Sequence, residues 1–306
     1  MELTGPLSRR TPLSMTSVSS SAAHRLKARL ATGRILVTPG IADAHAARLS
    51  AMAGFEAVFM SGFGVAAARH GLPDTGQLSF GEMRDALRDI VATTELPVIA
   101  DGDTGYGNAV QVKRTVAAYA QAGAGAVMIE DQRAPKRCGH VAGKEVVSRA
   151  AALERIKAAV DARNEGADIL ILARTDARGP LGLTEALERA RAFHEIGADM
   201  IFVEAPQTLE EMRQVGALPG VQMANMLDGG LTPRLSPADL EAIGYRHVAY
   251  ATTLLSAATK AMLAALEALK TGVDPAAHVL PFARLKEIVG FGDYDRQAAR
   301  YPNDET

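Results

Sequence analysis

Residues 97–131, PVIADGDTGYGNAVQVKRTVAAYAQAGAGAVMIED, contain the repeat that decides the fold. An apolar run, Pro97 to Asp103, ends in acids. Val112, Val116 and Tyr119 follow at three- and four-residue spacing, which puts their side chains on one face of a helix. Gly123 stands where that helix should end, as a left-handed helix terminator, and a second apolar run, Ala126 to Asp131, begins just beyond it.

Working outward, the same unit recurs. Further apolar runs are Ile35 to Thr38, Ala57 to Ser61, Asp168 to Arg174, Met200 to Glu204, Val221 to Asn225 and His247 to Ala251, making eight in all, and Leu153, Ile156 and Val160 mark another helix face between two of them. Gly54, Gly166, Gly197 and Gly244 take the place of Gly123 in other units. Helix starts are marked by Ser79 with Glu82 and Thr208 with Glu211 at capping-box spacing, and by Ser236 followed by Pro237.

Parallel strands need crossover helices and are covered on both faces, so eight such units close most economically into a (β/α)8 TIM-type barrel of the α/β class. The competitor is an open dinucleotide-binding sheet. Gly62, Gly64 and Ala67 do spell G-x-G-x-x-A, but no strand with an acidic end follows about twenty residues later. Length alone would suggest two domains; the pattern instead predicts residues 24–306 as one barrel domain with extra C-terminal helices. Val248 to Leu269 reads as a buried helix, too polar for a membrane span. The segment Phe282 to Tyr294 is surplus to a minimal barrel and is expected against another subunit.

With 48% hydrophobic and 22% charged residues the chain has the composition of a soluble globular protein, which excludes disorder and fibrous repeats. A net charge of -2 offers no excess of Lys and Arg for a phosphate backbone, so small molecules rather than nucleic acid or membrane are the expected partners. One cysteine excludes a disulfide framework and fits a reducing, cytoplasmic setting. Residues 1–23 are rich in Ser and Thr, with Arg9, Arg10 and a single acid, Glu2. They read as a flexible tail, with a transit peptide as the sharper alternative.

In such a barrel the reacting groups lie at the C-terminal ends of the strands. Here those ends carry Ser61 and Gly62, Asp101 and Asp103, Glu130 and Asp131, Arg174 and Asp176, Glu204, and Asn225. A lone polar residue at a strand end is usually a cap or turn former; six consecutive ends with acids, an arginine and an amide predict a binding site. Asp101 and Asp103, two apart on a strand, are expected to face the same way and share a hard cation with Glu130, Mg²⁺ or alternatively Mn²⁺. The bland alternative is acids satisfied by Lys and Arg.

Lys136, Arg137, Cys138, Gly139, His140, Val141, Ala142, Gly143 and Lys144 read as a mobile loop after the fourth strand. Its cations are expected to lower the pKa of Cys138 toward neutrality, as a proton-exchanging thiol or a nucleophile.

Five ordered segments, Asp101 to Asn108, Ile129 to Gln132, Lys136 to His140, Ala173 to Asp176 and Ala224 to Pro233, together resemble the isocitrate lyase and phosphoenolpyruvate mutase superfamily over about Ile35 to Leu269. The Cys-Gly-His loop resembles its lyase branch. The resemblance implies a homotetramer with C-terminal helices exchanged between subunits, and Mg²⁺-dependent cleavage of a 2-hydroxy acid to a 2-keto acid and a carboxylic acid. It implies that Ser61, Gly62 and Phe63 hold a keto-acid carboxylate, with Gly139, Glu204 and Asn225 also lining the pocket. Asp103 would ligate the metal directly, Asp101 and Glu130 through water, with Asp74 near that shell. Arg174 would polarise the substrate, and Cys138, beside His140, would be the acid on the closing loop.

Two positions depart from relatives that cleave 2-methylisocitrate. Phe59 stands where many have Tyr, so a tyrosinate base is absent there, and Val141, Ala142, Gly143 and Lys144 replace an Arg-Pro-Asn-Lys pattern. The Gly143-Lys144 form and the Asn-Met-x-x-Gly-Gly segment, Asn225 to Gly230, resemble the group of 2,3-dimethylmalate lyase, petal death protein and carboxyphosphonoenolpyruvate mutase. Replacement of Arg-Pro-Asn by Val141, Ala142 and Gly143, which removes a partner for a third carboxylate and adds apolar surface, points to a dicarboxylic 2-alkylmalate over the tricarboxylate. Oxaloacetate decarboxylation and phosphorus–carbon chemistry stand as alternatives within the superfamily, a non-catalytic metabolite-binding barrel outside it.

Overall fold

A computed structural model describes residues 20–141 and 143–301. Eight parallel strands, β1 (Leu36–Ile41), β2 (Val58–Met60), β3 (Val98–Asp101), β4 (Ala126–Glu130), β5 (Leu170–Thr175), β6 (Met200–Val203), β7 (Val221–Asn225) and β8 (His247–Tyr250), pair in chain order and close β8 onto β1. Closure removes the open-sheet alternative; Gly62, Gly64 and Ala67 lie instead on the helix Gly62–His70.

Alternation along the strands separates two cores. Leu36, Phe59, Ile99, Met128, Leu172, Met200, Phe202 and Met223 fill the barrel interior, while Val58, Val98, Val127, Ile171, Ile201 and Val248 face the surrounding helices. Helix Ala22–Leu30 joins the interior cluster through Leu26 and Leu30, each contributing about 1.5–3 kcal/mol of burial. Residues 22 and 23, read from sequence as tail, are thus helical, with Ala23 buried. Residues 1–19, which carry Glu2, Arg9 and Arg10, lie outside the described residues.

The helix signals hold locally. Ser79 and Glu82 form a complete capping box. Thr208 caps Glu211 N–H, but the Glu211 carboxylate turns to Arg178 and the Gln207 N–H. Register matters more for the site: Glu130 lies opposite Arg174, and Arg174 opposite Phe202.

Two expectations fail here. β3 ends at Asp101, and Asp103 adopts a left-handed backbone (φ 48°) beyond it, so the two acids do not alternate along one strand. Local hydrogen bonds fix this turn: Asp103 N–H donates to Asp101 Oδ1 (3.0 Å), Gly105 N–H to Gly102 O (2.9 Å) and Glu130 N–H to Asp103 O (2.9 Å). The last long helix, Thr253–Thr271, has no buried residue, and Met262, Leu263, Leu266 and Leu269 are all more than half exposed. Its apolar side chains have too few neighbours among the described residues to cover them. No helix among the described residues is long and apolar enough to cross a membrane.

Candidate active site

The rim at the C-terminal ends of the strands gathers side chains from five elements. Glu130 ends β4, Arg174 lies in the last two residues of β5 with Asp176 just past it, and Glu204 follows β6; all are nearly inaccessible to water. An isolated charge is untenable at such depth, so each must be matched. The Arg174 guanidinium lies against Asp176 (Nε to Oδ2 2.8 Å, Nη2 to Oδ1 3.0 Å), Glu130 (3.2 Å) and Glu204 (3.1 Å), over the face of Phe202. Burial works against both Arg174 and Asp176 in charged form, but their contact wins, holding Arg174 protonated and Asp176 below the usual carboxylate range.

A second cluster forms around Lys136. Its Nζ stands 2.5 Å from Asp74 Oδ1 and 2.8 Å from Asp103 Oδ1, in nearly complete burial. Burial would lower its pKa, yet Asp103, Asp101, Glu130 and Asp74 together raise it, so the ammonium persists. Asp101 accepts from the N–H of Gly62 (3.2 Å); a Cβ at Gly62 would lie 2.6 Å from the same carboxylate. Desolvation, aided by neighbouring acids, raises the pKa of both Asp101 and Glu130. Glu130 Oε1 is buried without a hydrogen-bond partner.

The loop after β4 lies over these groups. An isolated bridge joins Gln132 to Val146, and the Gln132 amide binds both N–H and C=O of Arg137 (2.9 and 2.8 Å). His140 Nδ1 accepts from Leu231 N–H (3.0 Å), which leaves Nε2 as the protonated nitrogen, 3.0 Å from Glu204 Oε1. That contact and Arg174 keep Glu204 ionised against the effect of burial. Gly139 packs so closely that a Cβ there would lie 2.5 Å from both Arg174 Nη2 and the Glu204 carboxyl group; only glycine fits. Lys144 donates to Gly139 O and to Asp176 Oδ1 (3.1 Å).

Cys138 is half-buried, with its N–H on Asp74 O (3.2 Å). Its pKa is raised, contrary to the sequence expectation. Burial is the main cause, with Asp74 and Glu204 adding to it, and two of the loop cations that were to lower it, Lys136 and Lys144, are already engaged with carboxylates. At neutral pH the thiol keeps its proton.

The structure therefore brings together Asp74, Asp101, Asp103, Glu130, Arg174, Glu204, Gly139, His140 and Gly62. Ser61 Oγ caps its helix at Gly64 N–H (3.1 Å), Phe63 is half-buried, and Asn225 Oδ1 at the end of β7 is buried without a partner. Val141 is 52% exposed, so its side chain adds no buried apolar surface to the site, and Ala142 lies outside the described residues. Sequence reading passed over Lys136 as a bridge between acids, and Asp176 as a clamp; proximity of Lys136 to Cys138 in the chain was the available signal.

Fold and rim define a (β/α)8-barrel enzyme whose site is built from acids and one arginine beneath a loop. The phosphoenolpyruvate phosphomutase family matches residues 26–270, and the chain belongs to it. It is 44% identical over 273 residues to 2,3-dimethylmalate lyase of Eubacterium barkeri (88% of this chain, 94% of that protein). It is 38% identical over 274 residues to 2-methylisocitrate lyase of Halalkalibacterium halodurans (89% and 90%). Among solved structures, 2,3-dimethylmalate lyase superposes with a TM-score of 0.87 at 36% identity, covering 93% of this chain and 97% of that one. Oxaloacetate acetylhydrolase bound to 3,3-difluorooxalacetate gives 0.87 at 35% identity (94% and 99%), and phosphonopyruvate hydrolase with oxalate and Mg²⁺ gives 0.81 at 30% (92% and 99%).

Proposed function

We propose that the chain is a carbon–carbon lyase that cleaves a 2-alkylmalate, such as 2,3-dimethylmalate, to a 2-keto acid and a carboxylic acid. The observation that carries this reading is the seat of the loop: Gly139 rests on Arg174 and Glu204, holding the protonated thiol of Cys138 within electrostatic reach of both. Arg174 neutralises the carboxylate and oxyanion of the substrate, and Ser61, Gly62 and Phe63, where helix Gly62–His70 begins, hold the keto-acid end. Asn225 offers its unpartnered Oδ1 to a hydroxyl. As a base takes the 2-hydroxyl proton and the carbon–carbon bond breaks to leave the 2-keto acid, Cys138 delivers its proton to the departing carbanion equivalent while Gly139 and His140 exclude water. Phe59, in the barrel interior, supplies no base.

The site also fits a divalent cation. Its donors are all oxygen, Glu130 Oε1 lacks a partner, and the Lys136 ammonium between Asp74 and Asp103 shows that these acids attract positive charge. No group of three His, Cys, Asp or Glu among the described residues is arranged to hold a metal directly. Asp103 as direct ligand, with Asp101 and Glu130 acting through water and Asp74 nearby, suits that arrangement. Bound Mg²⁺, or Mn²⁺, would supply Lewis-acid stabilisation of the oxyanion.

The diacid is favoured over the tricarboxylate because Arg174 is taken up by the first carboxylate and the oxyanion, and the other two buried site cations, Lys136 and Lys144, are already matched by acids. A third substrate carboxylate would be left without a partner when the loop excludes water, at a cost of several kcal/mol in principle. Keto-acid release over a panel of 2-hydroxy diacids and tricarboxylates should give a higher kcat/KM for 2,3-dimethylmalate than for 2-methylisocitrate. A clear advantage for the tricarboxylate would refute the preference, and no keto acid from any of them would refute the lyase reading.

The exposed apolar side chains of helix Thr253–Thr271, continued by Val279, Leu280, Phe282 and Phe291, support a homotetramer with exchanged C-terminal helices. Light scattering of the full chain should then read the mass of four chains; a one-chain mass would contradict it.

A further inference from the structure

Three charged groups behind the rim have no part in the chemistry above, or only an indirect one. Arg189, on the helix Leu183–Ile196, is 1% exposed. Its placement is fixed by its partners: Nη1 donates to Asp131 Oδ2 (2.9 Å) and Nε to Glu185 Oε1 (2.8 Å). Asp131, just past β4, accepts in turn from Thr175 Oγ1 (2.6 Å) and from the Asp176 N–H (2.8 Å). The Asp176 carboxylate then takes Arg174 on one side and, at 3.1 Å, the Lys144 ammonium of the loop on the other. Lys144 also holds the carbonyl of Gly139, the residue that rests on Arg174. A single carboxylate thus anchors the arginine and the loop, and its backbone is pinned by Asp131.

We infer that Arg189 and Asp131 form a positioning pair which, through Asp176, sets Arg174 and Lys144 in one register, so that seating the loop and aiming the arginine are a single event. A plain structural ion pair between helix and strand would stabilise the fold and leave the loop indifferent. The kinetic consequence rests on the lyase reading; the anchoring of the loop does not, so the two fail separately.

The test uses the full chain without substrate first. Amide hydrogen exchange of residues 136–145 is measured in wild type, Arg189→Lys, Lys144→Met and the double variant, alongside Tm. The lysine keeps the charge but cannot reproduce the two-armed contact, so Arg189→Lys should stay folded while its loop amides exchange about tenfold faster. Lys144→Met should free the loop to the same degree, and the double variant no further, because both act through Asp176. With the diacid substrate, kcat of Arg189→Lys should fall by about ten- to a hundredfold with a smaller change in KM, as misplacement of a reacting group dictates. Should Arg189→Lys not fold, the neutral pair Arg189→Met with Asp131→Asn replaces it, and the same loosening of the loop is expected. Loop exchange at the wild-type rate in a folded Arg189 variant, or additive loosening in the double variant, would overturn the inference. Wild type without turnover on any substrate would refute the lyase reading and leave the exchange result to decide this one.

Discussion

Along the same barrel strands, two ends of the interior are buried equally and built from opposite materials. At the N-terminal end Leu36, Ala57, Leu170 and Met200 meet Leu26 and Leu30 of the first helix, whereas a few residues on the strands deliver Ser61, Glu130, Arg174 and Glu204. The apolar end is stabilised simply by leaving water. At the rim, desolvation of each charge has to be offset by a partner, and replacing such a network by apolar side chains is often neutral or stabilising. The rim therefore adds little to the fold. What it gains is electrostatic strength, since in a dry site a fixed dipole or charge acts far more strongly than in water.

The largest expected break in this comparison is at the loop. Cys138→Ser should keep substrate affinity but lose about 10²–10⁴ of kcat, the usual contribution of general acid catalysis, because a hydroxyl is a far weaker acid than a thiol. Separate measurement of kcat and of ligand affinity checks this; an unchanged kcat removes Cys138 as the proton donor. The fold itself should be barely altered.

A smaller effect probes the other end, where His247 is the exception among apolar neighbours. Thr38 Oγ1 donates to Val248 O (3.3 Å) and so receives His247 Nε2–H (2.9 Å), leaving Nδ1 buried and unpartnered. Burial pushes its pKa down to about 3. In the unfolded chain the ring titrates near pH 6.5, so its share of stability is complete above that pH. As pH falls from there toward 3 the unfolded state binds a proton that the fold refuses, and the folded-to-unfolded ratio drops by roughly tenfold per pH unit. Rim carboxylates held below their usual range, such as Glu204 and Asp176, also lose stability in acid. Denaturant titrations of wild type against His247→Gln isolate the histidine: the difference in stability should shrink or reverse below pH 6, and parallel curves would show that His247 is not buried neutral.

The same contrast governs how much could be read from the sequence. The apolar end announces itself through short-range pattern, since Val112, Val116 and Tyr119 followed by Gly123 and Ala126 fix helix, terminator and strand within one stretch. The strand ends were legible too, because barrel geometry alone says where Glu130, Arg174 and Glu204 must converge. Pairings between distant segments were not. Asp-Gly-Asp reads locally as a continuing strand, and the left-handed turn at Asp103 is held by Glu130 N–H from the next strand as well as by hydrogen bonds to Asp101 and Gly102. The thiol of Cys138 looked activated because Lys136 and Lys144 lie near it in the chain; in space they belong to Asp74, Asp103 and Asp176. Helix Thr253–Thr271 shows an apolar face without showing what covers it.

Whether the rim is built around a cation is tested most directly by turnover in excess chelator. With 2,3-dimethylmalate as substrate, keto-acid release should stop on chelation, return when Mg²⁺ is added back, and be absent in a folded Asp103→Ala variant whatever the Mg²⁺ concentration. Full turnover with the chelator present, or a folded Asp103→Ala enzyme that works like wild type, would contradict it.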